Sequence, residues 1–179
     1  RLLAPDDTAD LLQEVEPEQR QGLIPLLDSV TQKEVTALLA YKEDEAGGLM
    51  SPRFARVRPD MTVEEAISYL RRQSRHLETI YYVYVLDSQQ RLLGVVSFRE
   101  LLSAPAGRPV SSIMQEDVIA VPESLDQEAV AQLFRQHGFL ALPVVDESGR
   151  VQGIVTSDDI VDVLHEEATE DIQKIGGLE

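Results

Sequence analysis

The chain has 179 residues, 43% of them hydrophobic, and 32 Asp and Glu against 16 Lys and Arg, a formal net charge of -16. That apolar content suffices for real cores in one large domain or two to three small ones, while the charge argues against a nucleic-acid partner and for cations or basic surfaces. With no cysteine, disulfides, thiolate catalysis and Cys-ligated zinc are excluded.

Three scattered histidines add little toward zinc. No apolar run approaches the roughly 20 residues of a membrane helix, and no signal peptide is present, so the chain is expected to be soluble as given. It starts without Met and ends on IQKIGGLE, of helical character, which reads as a piece of something longer.

Residues 1–42 read as helices. Asp6 or Asp7 can cap a first helix carrying Leu11, Leu12 and Val15, and Pro17 suits the first turn of a second, which Gly22 and Pro25 kink or split. Thr31-Gln-Lys-Glu34 has the capping-box pattern and opens a third helix with Val35, Leu38 and Leu39 on its apolar side. Asp6, Asp7 and Asp10 cluster on the first helix, where acidic residues by default complement the dipole and make ordinary surface charge, a ligand role being the minority reading. Residues 43–49, EDEAGGL, break the helical period and read as a linker.

Beyond the linker the chain repeats itself. A shift of 64 residues places Val57 on Val121, Thr62 on Asp126, Glu64 on Glu128 and Leu70 on Phe134; a shift of 59 then places Leu86-Asp87 on Val145-Asp146, Gly94 on Gly153, Ser97 on Thr156 and Glu100 on Asp159. Each copy has a short strand, a helix, two strands around a turn and a closing helix. Thr62 and Glu65 form a capping box for the first copy's helix, whose core spacing is Val63, Ala66, Ile67 and Leu70. The strands are Ile80 to Leu86 and Leu92 to Ser97 in the first copy, Leu142 to Val145 and Val151 to Val155 in the second. A three-stranded sheet with helices on one side leaves an apolar face, and the other copy is the obvious partner for it.

From about Ser157 the period changes to a helix with Ile160, Leu164, Ala168, Ile172 and Ile175 on one face. Asp159, Asp162, Glu166 and Glu170 form a neighbouring acidic stripe, joined by Asp158, Glu167 and Asp171. Like charges at this spacing repel. Most such runs are solvated faces, but Asp171 falls on the packing face and needs a partner, a cation or water. Elsewhere Arg71, Arg72, Arg75 and His76 make a basic patch that salt bridging explains, and Tyr81, Tyr82 and Tyr84 alternate as strand packing would. No nucleophile with a base and no phosphate-cradling loop stands out, so the chain reads as a non-enzyme.

The endings GVVSFRE (Gly94 to Glu100) and GIVTSDD (Gly153 to Asp159), with LPVVD and PVSSIM, resemble a tandem cystathionine-β-synthase (CBS) pair. YKEDEAGGLMSP, MTVEEAISYLRR, ETIYYVYV and HEEATEDIQKIG, in that order after a helical segment, resemble the cytosolic region of MgtE-type magnesium transporters. This implies an α+β chain: a small all-helical N-terminal domain and linker over 1–49, CBS domains over 50–108 and 109–165, and the start of a connecting helix over 166–179. It further implies a homodimeric Mg2+ sensor on the cytoplasmic side of the cell membrane. That sensor gates its own transmembrane pore domain, which lies outside this sequence, and has no nucleic-acid partner.

Magnesium takes oxygen ligands, keeps several waters and needs one or two carboxylates per ion. Carried over from the resemblance, its ligands are Asp159, Asp162, Glu167, Glu170 and Asp171, with Asp126, Glu128 and Asp7 beside them. The expected motion is a swing of the helical domain about Gly47-Gly48. The chain departs from the family at His137-Gly138, where an acidic residue is frequent, which puts one site in question. The CBS motif also implies a second ligand, ATP, at Ser97, Arg99, Phe139, Thr156 and Asp159. An adenine-nucleotide-sensing module is the alternative function, against the plain reading of Thr156 as a helix cap.

Overall fold

A computed structural model describes residues 3–161, 163 and 164. The helical segment consists of α1 (Pro5–Gln13), α2 (Pro17–Leu23), a 3-10 turn (Ile24–Leu26) and α3 (Ser29–Leu38), with α1 packed on α3. Prolines open α1 and α2, where the missing N–H costs nothing. The cap of α1 is therefore Ala4, without a side-chain bond, and Asp6 and Asp7 lie inside the first turn instead of capping it. The third helix likewise starts before the TQKE box. Asp28 caps it, accepting from Val30 N and Thr31 N at 3.1 Å each and from the Thr31 hydroxyl at 2.6 Å. A carboxylate that can take both amides displaces threonine from the cap.

The stretch read as a linker is an ordered element, α4 (Ala46–Leu49). Ala46 N donates to Leu125 O and Gly47 N to Glu123 O, both at 2.8 Å, and Ala46, Gly47 and Gly48 are buried. The paired glycines serve close approach rather than flexibility, because a Cβ on Gly47 would enter the Tyr41 ring and one on Gly48 would strike the Lys42 carbonyl. The expected pivot is thus docked against the second repeat.

The first repeat contains β1 (Arg56–Val57), α5 (Val63–Gln73), β2 (Tyr82–Leu86), β3 (Leu92–Ser97) and α6 (Phe98–Ser103). The second contains β4 (Val121–Pro122), α7 (Gln127–His137), β5 (Ala141–Val145) and β6 (Val151–Thr156), after which residues 157–161, 163 and 164 are helical. The sheets are ordered β1-β2-β3 and β4-β5-β6, the outer pair parallel and the hairpin antiparallel in both, with equivalent register shifts at Val85/Leu86 and Val144/Val145.

Among the described residues, three buried clusters hold this together. One lies between α5, α6 and the first sheet. A second joins the two sheets through Phe54, Tyr84, Leu86, Ala141, Val151 and Ile154, which is the face-to-face burial that the repeat required. The third runs without a break from Ala9, Leu12, Val35 and Leu38 through Ala46 and Met50 to Val121, Val130, Phe134 and Val155. The helical segment therefore shares its core with the second repeat.

Candidate functional site

Burial and charge meet where α1 approaches the end of β6. Asp6 is 5% exposed and its Oδ1 has no hydrogen-bond partner among the described residues. Burial first, then the charges of Glu78 and Asp159, push its pKa up to about 7. A buried carboxylate facing two others is unfavourable unless it is protonated or neutralised by a cation.

Asp159 faces it from the closing helix of the second repeat. Its Oδ2 accepts from Thr156 N at 2.7 Å and from the Thr156 hydroxyl at 2.9 Å. Burial, reinforced by Glu78 and Asp158, still raises its pKa to about 6 against the lowering effect of those two bonds. Glu78, on the segment before β2, is an exposed residue whose carboxylate head tucks against buried Ser51, whose hydroxyl donates to Oε2 at 3.4 Å. Its pKa is raised, by burial first and then by Asp7 and Asp158, while Ser51 and Arg53 act the other way. Arg53 is committed elsewhere: its guanidinium donates to Glu34 at 2.8–3.3 Å and to the Thr31 hydroxyl at 3.0 Å.

Asp6, Asp7, Glu78, Asp158 and Asp159 thus form one acidic joint between the helical segment and both repeats. Among the described residues no group of three or more His, Cys, Asp or Glu is arranged to hold a metal directly. The joint suits a hard, hydrated ion that takes one or two carboxylates and keeps its waters, because that ion supplies the missing charge without closing a full cage.

Of the residues singled out from sequence, Asp7 and Asp159 come together here. Asp126 and Glu128 are exposed at the start of α7, away from the joint, where Asp126 Oδ1 caps Glu128 N at 2.9 Å. Asp162, Glu167, Glu170 and Asp171 lie outside the described residues. Sequence reasoning offered Asp6 as a helix cap or surface charge, with a ligand role only the minority reading, and passed over Glu78, Ser51 and Arg53. The one available signal was Asp6 directly after the proline of α1, which fixes its place in the first turn.

The nucleotide motif is built twice. Ser97 and Glu100 form a capping box at α6, with Glu100 N donating to Ser97 Oγ at 3.1 Å and Ser97 N to Glu100 Oε2 at 2.9 Å. Thr156 and Asp159 repeat the carboxylate half of that arrangement. Arg99 is exposed in the first turn of α6, and Phe139 stacks on His137 with centroids 5.1 Å apart and planes at 19°. Gly138 adopts the left-handed C-cap of α7, so His137-Gly138 ends that helix.

The MgtE intracellular N domain model matches residues 1–44 and the CBS domain model matches 46–107 and 110–166. The chain is 51% identical over 177 residues to the magnesium transporter MgtE of Thermus thermophilus, covering 97% of this chain and 39% of that protein. Among solved structures, the cytosolic domain of the Mg2+ channel MgtE in complex with ATP superposes with a TM-score of 0.87 at 50% identity, covering 90% of this chain and 66% of that one. The soluble part of a magnesium transporter gives 0.89 at 39% identity, covering 93% and 65%. The chain spans about two-fifths of the length of the Thermus relative.

Proposed function

Because the chain belongs to the MgtE family, as an MgtE intracellular N domain followed by a tandem CBS pair, we propose that it is the Mg2+-sensing regulatory region of a membrane magnesium transporter. The carrying observation is Asp6, buried, without a partner on Oδ1 and set against Asp159 and Glu78. Without a divalent ion these carboxylates repel across the joint and bias the helical segment away from the second repeat. Asp7 and Asp159 would hold the hydrated ion, and Asp6 and Glu78 would be neutralised beside it. Asp162, Glu167, Glu170 and Asp171, with Asp126 and Glu128, extend this reading to the connecting helix and the twin subunit of a homodimer. Closure of these joints at high internal Mg2+ then shuts the pore, a population shift set by differential ion affinity.

Melting in magnesium chloride against sodium chloride at matched ionic strength tests this, since screening is then equal to first order. At about ten times the dissociation constant one site adds about 1.4 kcal/mol, and Asp7→Asn should lose part of that gain. Equal shifts in the two salts would end the proposal.

A second ligand has its own support: the duplicated Ser97/Glu100 and Thr156/Asp159 motif, and the ATP complex of the solved relative. We infer that ATP sits in the CBS cleft with Arg99 and Phe139 flanking the base. Calorimetry with Arg99→Ala checks it, and compaction by Mg2+ only when ATP is present would favour a nucleotide sensor instead.

A further inference from the structure

A half-open cleft of about 250 Å3 lies at the C-terminal ends of β1 and β2, lined by Arg56, Val57, Arg58, Met61, Tyr69, Leu86 and Gln90. It is at the opposite end of the first sheet from Ser97 and Arg99, since Tyr82 pairs with Ser97 while Val57 pairs with Val85. The nucleotide motif and the acidic joint are therefore both elsewhere.

The cleft gathers two guanidiniums in a chain with twice as many acidic as basic residues, and neither forms an ion pair with a described carboxylate. Arg56 lies over the Phe54 ring at 4.1 Å and donates only to neutral oxygens, Gln90 Oε1 at 3.1 Å and Pro52 O at 3.4 Å. The Nε of Arg58 is buried with no hydrogen-bond partner among the described residues. The nearby carboxylate is Asp87, which feels the charges of Arg91 and Arg58, but its Oδ1 is held by Gln89 N at 2.7 Å and Arg91 N at 3.0 Å in the hairpin turn.

The fold does not require these cations. In the second repeat Ala120 and Pro122 occupy the places of Arg56 and Arg58, and Leu125 and Leu133 those of Met61 and Tyr69. A buried donor without an acceptor is costly in a finished structure, and a guanidinium fork matches carboxylate and phosphate oxygens. We propose that this cleft binds a small organic oxyanion, a phosphate monoester or a carboxylate with a flat or apolar body. Arg58 and Arg56 take the oxyanion, and Tyr69, Met61 and Leu86 cover the body. The volume is below the roughly 300–1,000 Å3 typical of sites for drug-sized ligands, so the occupant is smaller than a nucleotide. Occupancy would be felt in the second repeat, because Gln90 both lines the cleft and accepts from Val151 N at 3.0 Å.

The test titrates the 179-residue chain in magnesium-free buffer at constant ionic strength with phenyl phosphate, benzoate and inorganic phosphate. Expected are saturable binding of phenyl phosphate or benzoate, a shift of the Arg58 Nε–H resonance in the wild-type spectrum, and binding about tenfold weaker or more in Arg58→Gln. Arg99→Ala should bind as wild type does. Saturation by inorganic phosphate alone would overturn the part of the proposal that concerns the body. Absence of saturation, an unmoved Arg58 resonance, or loss of binding in Arg99→Ala would overturn the site itself.

Discussion

The Tyr41 hydroxyl donates to Glu123 Oε2 at 3.0 Å across 82 residues of sequence, fastening the segment after α3 to the second repeat. With burial, that carboxylate pushes the Tyr41 pKa up to about 12. Movement of the helical segment must therefore pivot before Tyr41 or break this bond. Tyr41→Phe should cost about 1 kcal/mol, a fall in Tm of about 2–4 °C for a chain of this size. Gly48→Ala should cost about 1–3 kcal/mol, because the Lys42 carbonyl must move. Thermal and urea melts measure both, and a neutral Gly48→Ala would restore the flexible linker.

Gly94 and Gly153, matched by the repeat, provide a second check. A Cβ on Gly94 would come within 2.8 Å of Gln115 O and Met114 Sδ, and one on Gly153 within 2.7 Å of Ser51 O and 3.0 Å of Met50 Sδ. Each strand is crossed by the chain entering a repeat, through the bridges Val95–Gln115 and Ile154–Ser51. Alanine at either position should cost about 1–3 kcal/mol. Gly153→Ala should also weaken the Mg2+ response, because Ser51 touches Glu78, whereas Gly94→Ala should leave it alone. Melts with and without Mg2+ decide this, and equal loss of response would separate the joint from Ser51.

The repeat, the hairpins and the box at Thr62 were legible because they are local or periodic: Thr62 Oγ accepts from Glu65 N three residues away. The acidic joint was only half legible. Asp7 and Asp159 were named, but Asp6 looked like its exposed neighbours, and the charges that act on it once it is buried, Glu78 and Asp159, lie 72 and 153 positions further on. EDEAGGL failed as a linker for a related reason. Paired glycines signal flexibility or close approach equally well, and only the docking of Ala46 and Gly47 on Leu125 and Glu123 decides between them.

The raised carboxylates give the ion-free protein a pH dependence of definite sign. Unfolded, Asp6 titrates near 3.8, and folded near 7. Between those values the folded chain holds a proton that the unfolded chain has released, so stability is full below about pH 4 and is lost as pH rises through about 7. Asp159 acts in the same direction, up to about 6. At about 1.4 kcal/mol per unit, Asp6 contributes on the order of 4 kcal/mol at most. Asp6→Asn should therefore raise ion-free stability at pH 8 and flatten its fall between pH 5 and 8, as should saturating Mg2+ in the wild type. Urea unfolding across that range is the measurement, and an unchanged slope in Asp6→Asn would place the titration elsewhere.

Two charge sets at the joint oppose each other, and under the proposed function their balance would set how far the helical segment opens. Arg53 pulls α3 inward through Glu34, at 2.8 Å from Nη2 to Oε2 with both side chains less than a quarter exposed. Asp6 and Asp7 push α1 outward against Glu78, Asp158 and Asp159. The continuous apolar cluster holds the segment against the second repeat, so under that proposal opening would be a shift in a minority population. Glu34→Gln keeps the shape, removes the pull and should weaken docking by about 1 kcal/mol. Without Mg2+ its radius of gyration by small-angle scattering should exceed that of wild type, and Mg2+ should restore it, because the proposed ion site at Asp7 and Asp159 is intact in this variant. Asp6→Asn should do the reverse, compacting the ion-free chain and blunting the response. Adding Glu34→Gln to Asp6→Asn should give an intermediate radius. If Glu34→Gln matches wild type at every Mg2+ concentration, the ion pair is no latch and the apolar cluster alone holds the segment in place.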